Sequence, residues 1–143
     1  MIKKSIGILF VTTLSMAFVV ENSSKKPEGG IKFSGLSLAK AKADAIKNDK
    51  VIFIDCHTSW CGPCKQMAAT SFKDAEVASL FNSKFINMKV DIEKDADGPE
   101  IQKRYKISAY PTLLFLDGDG KVLKTLVGFQ KADKLVSVAS SFD

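Results

Sequence analysis

Along this chain the apolar positions change rhythm several times, and each change marks an element. Leu38, Ala41 and Ala45 recur at helical spacing, with Ile46 beside them, which predicts an amphipathic helix. The charged turn Asn48-Asp49-Lys50 follows. Val51-Ile52-Phe53-Ile54 is then apolar without a break, as in a strand buried on both faces. A helix is predicted through Met67 and Ala68. Asp74 is placed to cap another, whose Val77, Leu80 and Phe81 share one face. Phe85 to Val90 reads as a second central strand, and Gly98-Pro99 opens a short helix with Ile101 and Tyr105 on one side.

Beyond that point the order changes. Thr112 to Leu116 is a strand, Asp117-Gly118-Asp119-Gly120 a turn, and Val122 to Val127 pairs back as a hairpin. Ala132, Leu135, Val136 and Ala139 make a final amphipathic helix. With a strand from Ile31 placed first, the order is β-α-β-α-β-α-β-β-α. That is an α/β fold with a central mixed sheet and helices on both faces. A chain of 143 residues, 45% hydrophobic and 26% charged, suits one domain with a real core. The net charge of +5 comes from lysines spread along the whole sequence. It reads as a solvated surface and gives no reason to expect a nucleic-acid partner.

The first residues read differently. Lys3 and Lys4 precede a charge-free run from Ile6 to Val20, and Ser15-Met16-Ala17 offers a small-x-small cleavage site. Residues 1–17 are therefore expected to be an export signal, cleaved or kept as an anchor. Residues 18–30, with the polar run Glu21 to Gly30, are expected to be a flexible linker to a domain over residues 31–143. The expected location is periplasmic or otherwise exported.

Export would place the cysteines where disulfides persist. Yet there are only three, Cys56, Cys61 and Cys64, and all lie within nine positions. A stapled scaffold would spread them, so this pattern points to a local redox or metal site. In Trp60-Cys61-Gly62-Pro63-Cys64-Lys65 the two sulfurs can close a disulfide across one helical turn and open it again. Thiolate, not thiol, attacks a disulfide. At the start of a helix, unpaired N–H groups and the helix dipole favour negative charge on Cys61. Cys61 is then the nucleophile and Cys64 the resolving thiol. Pro63 falls in the first turn, where its missing N–H costs little. Gly62 allows close approach of a partner chain, and Trp60 is expected to shield one side of the sulfur. Asp55, at the end of the buried run, either relays the Cys64 proton with a raised pKa or merely caps a turn.

These residues resemble the thioredoxin family, over about Val51 to Phe142. The hexapeptide matches the family's active-site motif in full. Asp55 stands at the family's buried acid, and Lys89 matches the lysine that pairs with it. Tyr110-Pro111-Thr112 matches the cis-proline segment, and Gly128 a late glycine near the site. Phe72 to Val77 and the Phe115 to Gly120 turn are similar to exported members, including the C-terminal domain of membrane thiol–disulfide interchange reductases. The resemblance implies a thioredoxin fold and protein-disulfide reductase chemistry, with Asp55 as proton relay. Tyr110 and Pro111 would hold an extended substrate as an added strand. It implies no diffusible cofactor, disulfide-containing protein substrates, a membrane or soluble thiol electron donor, and a monomer. A disulfide donor or isomerase, or a non-catalytic binding module on the same fold, are the alternatives.

The sequence departs from the family at Cys56 and His57, where two aromatic residues are common. Cys56 points away from Asp55 on a strand and reads as a small buried hydrophobe or a third redox thiol. His57 shares the face of Asp55, where it tunes the Cys61 thiolate or bonds locally. A zinc site on Cys56, His57, Cys61 and Cys64 would need the strand broken, so no metal is expected.

Overall fold

The computed structural model describes residues 29–142. The expected export signal and nearly all of the expected linker lie outside the described residues. The domain runs α1 (Leu38–Asn48), β1 (Val51–His57), α2 (Gly62–Ala69), a 3-10 turn (Ser71–Lys73) and α3 (Ala75–Lys84). It continues through β2 (Phe85–Asp91), α4 (Gly98–Tyr105), β3 (Thr112–Leu116), β4 (Val122–Val127) and α5 (Ala132–Ala139). The sheet order is β2-β1-β3-β4. β1 pairs parallel with β2 and antiparallel with β3, and β4 returns antiparallel to β3. This is the mixed sheet with helices on both faces, the thioredoxin fold that the sequence implies.

Two expectations need correction. The strand from Ile31 does not form as a ladder, because only an isolated bridge joins Ser34 to Met88. Its backbone bonds elsewhere: the Ile31 N–H to the Phe72 carbonyl and the Lys32 N–H to the Asn82 side chain. In consequence β2 is an edge strand of the sheet, as β4 is at the other side, and the two central strands are β1 and β3.

Local signals end the helices as their chemistry requires. The Ser37 hydroxyl caps α1, and Asp49 in the left-handed region closes it. The Asp74 carboxylate accepts from the Glu76 and Val77 N–H groups at the start of α3. Strand alternation then divides the core in two. Ile52, Ile54 and Cys56 enter an aliphatic layer with Leu38, Ala41, Ala45, Ile101 and Leu114. Phe53 enters the opposite layer with Met67, Phe72, Phe81, Phe115 and Leu135. The rings there meet mostly edge-on, with Phe53 4.8 Å from Phe81 between centroids.

Candidate active site

Parallel pairing of β1 with β2 sets His57 opposite Asp91, and antiparallel pairing sets Cys56 opposite Thr112. Thr112 in turn faces Val127. The C-terminal ends of β1, β2 and β4 and the start of β3 therefore share one edge of the sheet. The ten residues singled out in the sequence lie on that edge or on the segment leaving it.

From β1 the chain crosses Thr58 to Trp60 into α2. The Cys61 N–H donates to the Thr58 carbonyl at 3.3 Å. Cys61 is the N-cap of α2, in extended backbone, and Pro63 sits at the second helical position. Cys61 and Cys64 form a disulfide with Cα atoms 5.4 Å apart. Exposure does not separate the two cysteines, since Cys61 is 3% and Cys64 5% exposed. Position does: the Cys64 N–H donates to Cys61 Sγ at 3.2 Å. A charge-assisted bond of this kind stabilises negative charge on Cys61 once the disulfide opens. Gly62 and Pro63 are exposed, and space beside Gly62 is open.

Asp55 lies on β1, six residues before Cys61, and is fully buried. Lys89 stands directly opposite on β2, with Nζ 3.9 Å from Asp55 Oδ2. Neither carboxylate oxygen has a hydrogen-bond partner. Burial pushes the Asp55 carboxyl up to about 6, with Lys89 pulling the other way. An acid in that range can take and return a thiol proton near neutral pH.

The opposite wall is the Tyr110-Pro111 segment, whose peptide bond is cis. The Pro111 carbonyl accepts the Gly128 N–H at 2.8 Å, and Gly128 takes a φ of +84°. That left-handed turn carries β4 past Pro111, and a side chain there would be strained. The Tyr110 ring meets Trp60 edge-on at 5.9 Å. Trp60 is 65% exposed. Its Nε1–H donates to both Glu93 oxygens at 3.1 Å. Tyr110 Oη accepts from Gln102 Nε2 at 3.2 Å.

Glu93 and Gln102 were not singled out from the sequence, and nor was Gln130, whose side chain bonds the Val127 and Gly128 carbonyls. Glu93 had a usable signal: it follows β2, which must run parallel to β1 if an α-helical crossover joins them. Gln102 had none.

Cys56 lies in the aliphatic layer on the other side of the sheet, fully buried. Burial, with Asp55 adding to it, pushes its thiol far above the ordinary range. Among the described residues, no group of three or more His, Cys, Asp or Glu is placed to hold a metal. His57 is half-buried and lines a cleft of about 370 Å³ with Thr58, Ser59, Cys64, Lys65 and Lys89. No helix among the described residues is long and apolar enough to cross a membrane.

Comparison with known proteins agrees with this geometry. The family model for thioredoxin matches residues 36–141. The chain is 34% identical over 87 residues to Thioredoxin-1 of Drosophila melanogaster, covering 61% of this chain and 72% of that one. It is 32% identical over 120 residues to the thiol:disulfide interchange protein DsbD of Neisseria meningitidis serogroup A. That match takes in 80% of this chain but only 20% of DsbD. A solution structure of a proposed disulphide isomerase from Bacteroides thetaiotaomicron superposes with a TM-score of 0.68 at 41% identity. It covers 80% of this chain and 96% of its own.

Proposed function

The chain belongs to the thioredoxin family of thiol–disulfide oxidoreductases, and on that premise we propose that it is an exported reductase of protein disulfides. One observation carries the reading: a redox pair at a helix N-cap follows directly on the strand that holds a buried carboxyl with no hydrogen-bond partner. Cys61 attacks a substrate disulfide and forms a mixed disulfide. Cys64 then attacks Cys61 Sγ and releases the reduced substrate. Asp55 takes the Cys64 proton, and Lys89 holds its carboxyl lower than burial alone would. Trp60, Gly62, Pro63, Tyr110, Pro111 and Gly128 form the surface that receives the substrate chain. The cysteine pair carries the electrons, so no diffusible cofactor is required.

Two sequence features support the finer points. The Gly-Pro pair between the cysteines is that of reducing thioredoxins, at the low-potential end of the family. Lys3, Lys4 and the run from Ile6 to Val20 support export, with cleavage or tethering at the membrane. An exported reductase needs electrons from a thiol donor, membrane-bound or soluble. The likeness to a proposed disulphide isomerase favours a second reading, in which the same pair rests oxidised and donates or shuffles disulfides.

The reduction potential of the Cys61–Cys64 pair decides between them. It is measured by equilibration with a dithiol buffer in a Cys56→Val background. A value near about −270 mV supports the reductase, and one near about −120 mV overturns it in favour of the oxidant.

A further inference from the structure

The Asp55 carboxyl is fully buried, so any proton it takes from Cys64 needs a way out. Asp55 does not line the cleft beside α2, but its neighbours do. The cleft of about 370 Å³ beside α2 is lined by Cys64, Lys89 and His57. Cys64 is the resolving thiol, and Lys89 is the ion-pair partner of Asp55. His57 stands two residues beyond Asp55 on β1, which puts both side chains on the same face of the strand. Thr58 lines the same cleft, and its buried Oγ1 has no hydrogen-bond partner. A cleft of that volume admits water and small solutes.

We propose that His57 is the proton carrier that links the Asp55–Cys64 pair to solvent through this cleft. The inference rests on the proposed exchange at Cys61 and on Asp55 as its proton acceptor. In the resolving step Cys64 gives its proton to Asp55 and attacks Cys61 Sγ. The Cys61–Cys64 bond forms as the bond from Cys61 to the substrate sulfur breaks. The substrate leaves as a thiolate with the electron pair and takes a proton from water. Two electrons have then passed from the dithiol to the substrate. Asp55 hands its proton to the neutral His57 ring, and His57 releases it to water in the cleft. Re-reduction of the pair runs the same transfer backwards.

The charged neighbours of His57 suit this task. Asp55 precedes it by two residues on β1, Cys64 and Lys65 come from α2, Lys89 and Asp91 from β2, and Asp95 from the loop beyond. Burial first, and then Lys89, hold the imidazole below its ordinary value, which favours the neutral ring that can accept a proton.

The test uses the reduced full chain and a chromogenic aromatic disulfide (dithiobis-nitrobenzoate) under stopped flow. Cys61 attack releases the first coloured thiolate, and Cys64 attack on the mixed disulfide releases the second. His57→Phe is expected to leave the first phase unchanged and to slow the second about tenfold. That is less than the roughly hundredfold of a direct general base, because His57 acts one transfer away. Free imidazole is expected to restore the second phase in proportion to its concentration, which a purely structural role for His57 would not allow. His57→Gln, polar but unable to titrate, is expected to behave alike and serves if the Phe variant does not fold. A second phase unchanged in either variant, or slowed without rescue by imidazole, overturns the proposal. An unchanged second phase in Asp55→Asn overturns the relay at its first step. Absence of the first phase from the wild-type chain overturns the proposed function, and the relay with it.

Discussion

Asp55 and Cys56 are neighbours on one strand, both fully buried, yet they face opposite sides of the sheet and have opposite fates. On the aliphatic side, burial drives the Cys56 thiol far up and keeps it protonated, so it is inert. On the aromatic side, burial drives the Asp55 carboxyl up to about 6, which brings an otherwise spectator acid into the working range. The same desolvation silences one group and enables the other, because a thiol starts above neutral pH and a carboxyl below it. Strand parity decides which is which.

The sharpest way to break this comparison is to remove sulfurs on each side. Cys61→Ser is expected to abolish turnover of a model disulfide protein, and Cys64→Ser to leave that substrate trapped on Cys61 as a mixed disulfide visible by mass. Cys56→Val, of similar size and apolar, is expected to retain turnover within about twofold. Loss of turnover in Cys56→Val would mean that the aliphatic side takes part in the chemistry.

Packing provides the next contrast. Phe53→Ala, in the aromatic layer below Asp55, is expected to cost about 3–5 kcal/mol in chemical denaturation. Ile54→Val, one residue on and in the aliphatic layer, is expected to cost about 1 kcal/mol. A cost for Phe53→Ala no larger than that of this one-carbon deletion would show that the aromatic layer collapses to fill the cavity.

The carboxyl itself supplies the third test. The folded chain holds the Asp55 proton more tightly than the unfolded chain, from the ordinary 3.8 up to about 6. Stability from this group is therefore complete below about pH 4 and declines as pH rises through about 6. Asp55→Asn is expected to be more stable than wild type above pH 6, by up to about 3 kcal/mol, with the difference vanishing below about pH 4. A variant no more stable than wild type at pH 8 would mean that the buried carboxylate carries no penalty. A smaller effect is expected from Lys89→Met, which removes the charge that lowers the Asp55 carboxyl. The pH dependence of the resolving step should move upward, and a downward move would show that Lys89 acts otherwise.

Much of this arrangement could be read along the chain, and the limits are physical. The run from Val51 to Ile54, the Asp74 cap and the Asp117 to Gly120 turn each carry their instruction locally. So does the placing of Cys61 at a helix start. The element order places a strand from Ile31 first, but the Ile31 and Lys32 N–H groups bond Phe72 and Asn82, and only Ser34 bridges to β2. Periodicity names a face and not a partner, so the largely buried pattern of β2 suits a central strand although β2 lies at an edge of the sheet. For the same reason the Trp60–Glu93 and Tyr110–Gln102 contacts had to come from the folded chain.

The burial of Cys56 also makes the domain its own unfolding counter. With the active pair reduced, an alkylating reagent approaches Cys61 beside the open space at Gly62 and Cys64 from the cleft it lines, while the third thiol is sealed in the aliphatic layer. Cys56 acquires label only when β1 parts from its neighbours, so its modification rate registers sheet openings one molecule at a time. A thiol that takes no part in exchange thus reports, without any added probe, how often the scaffold that supports exchange comes apart.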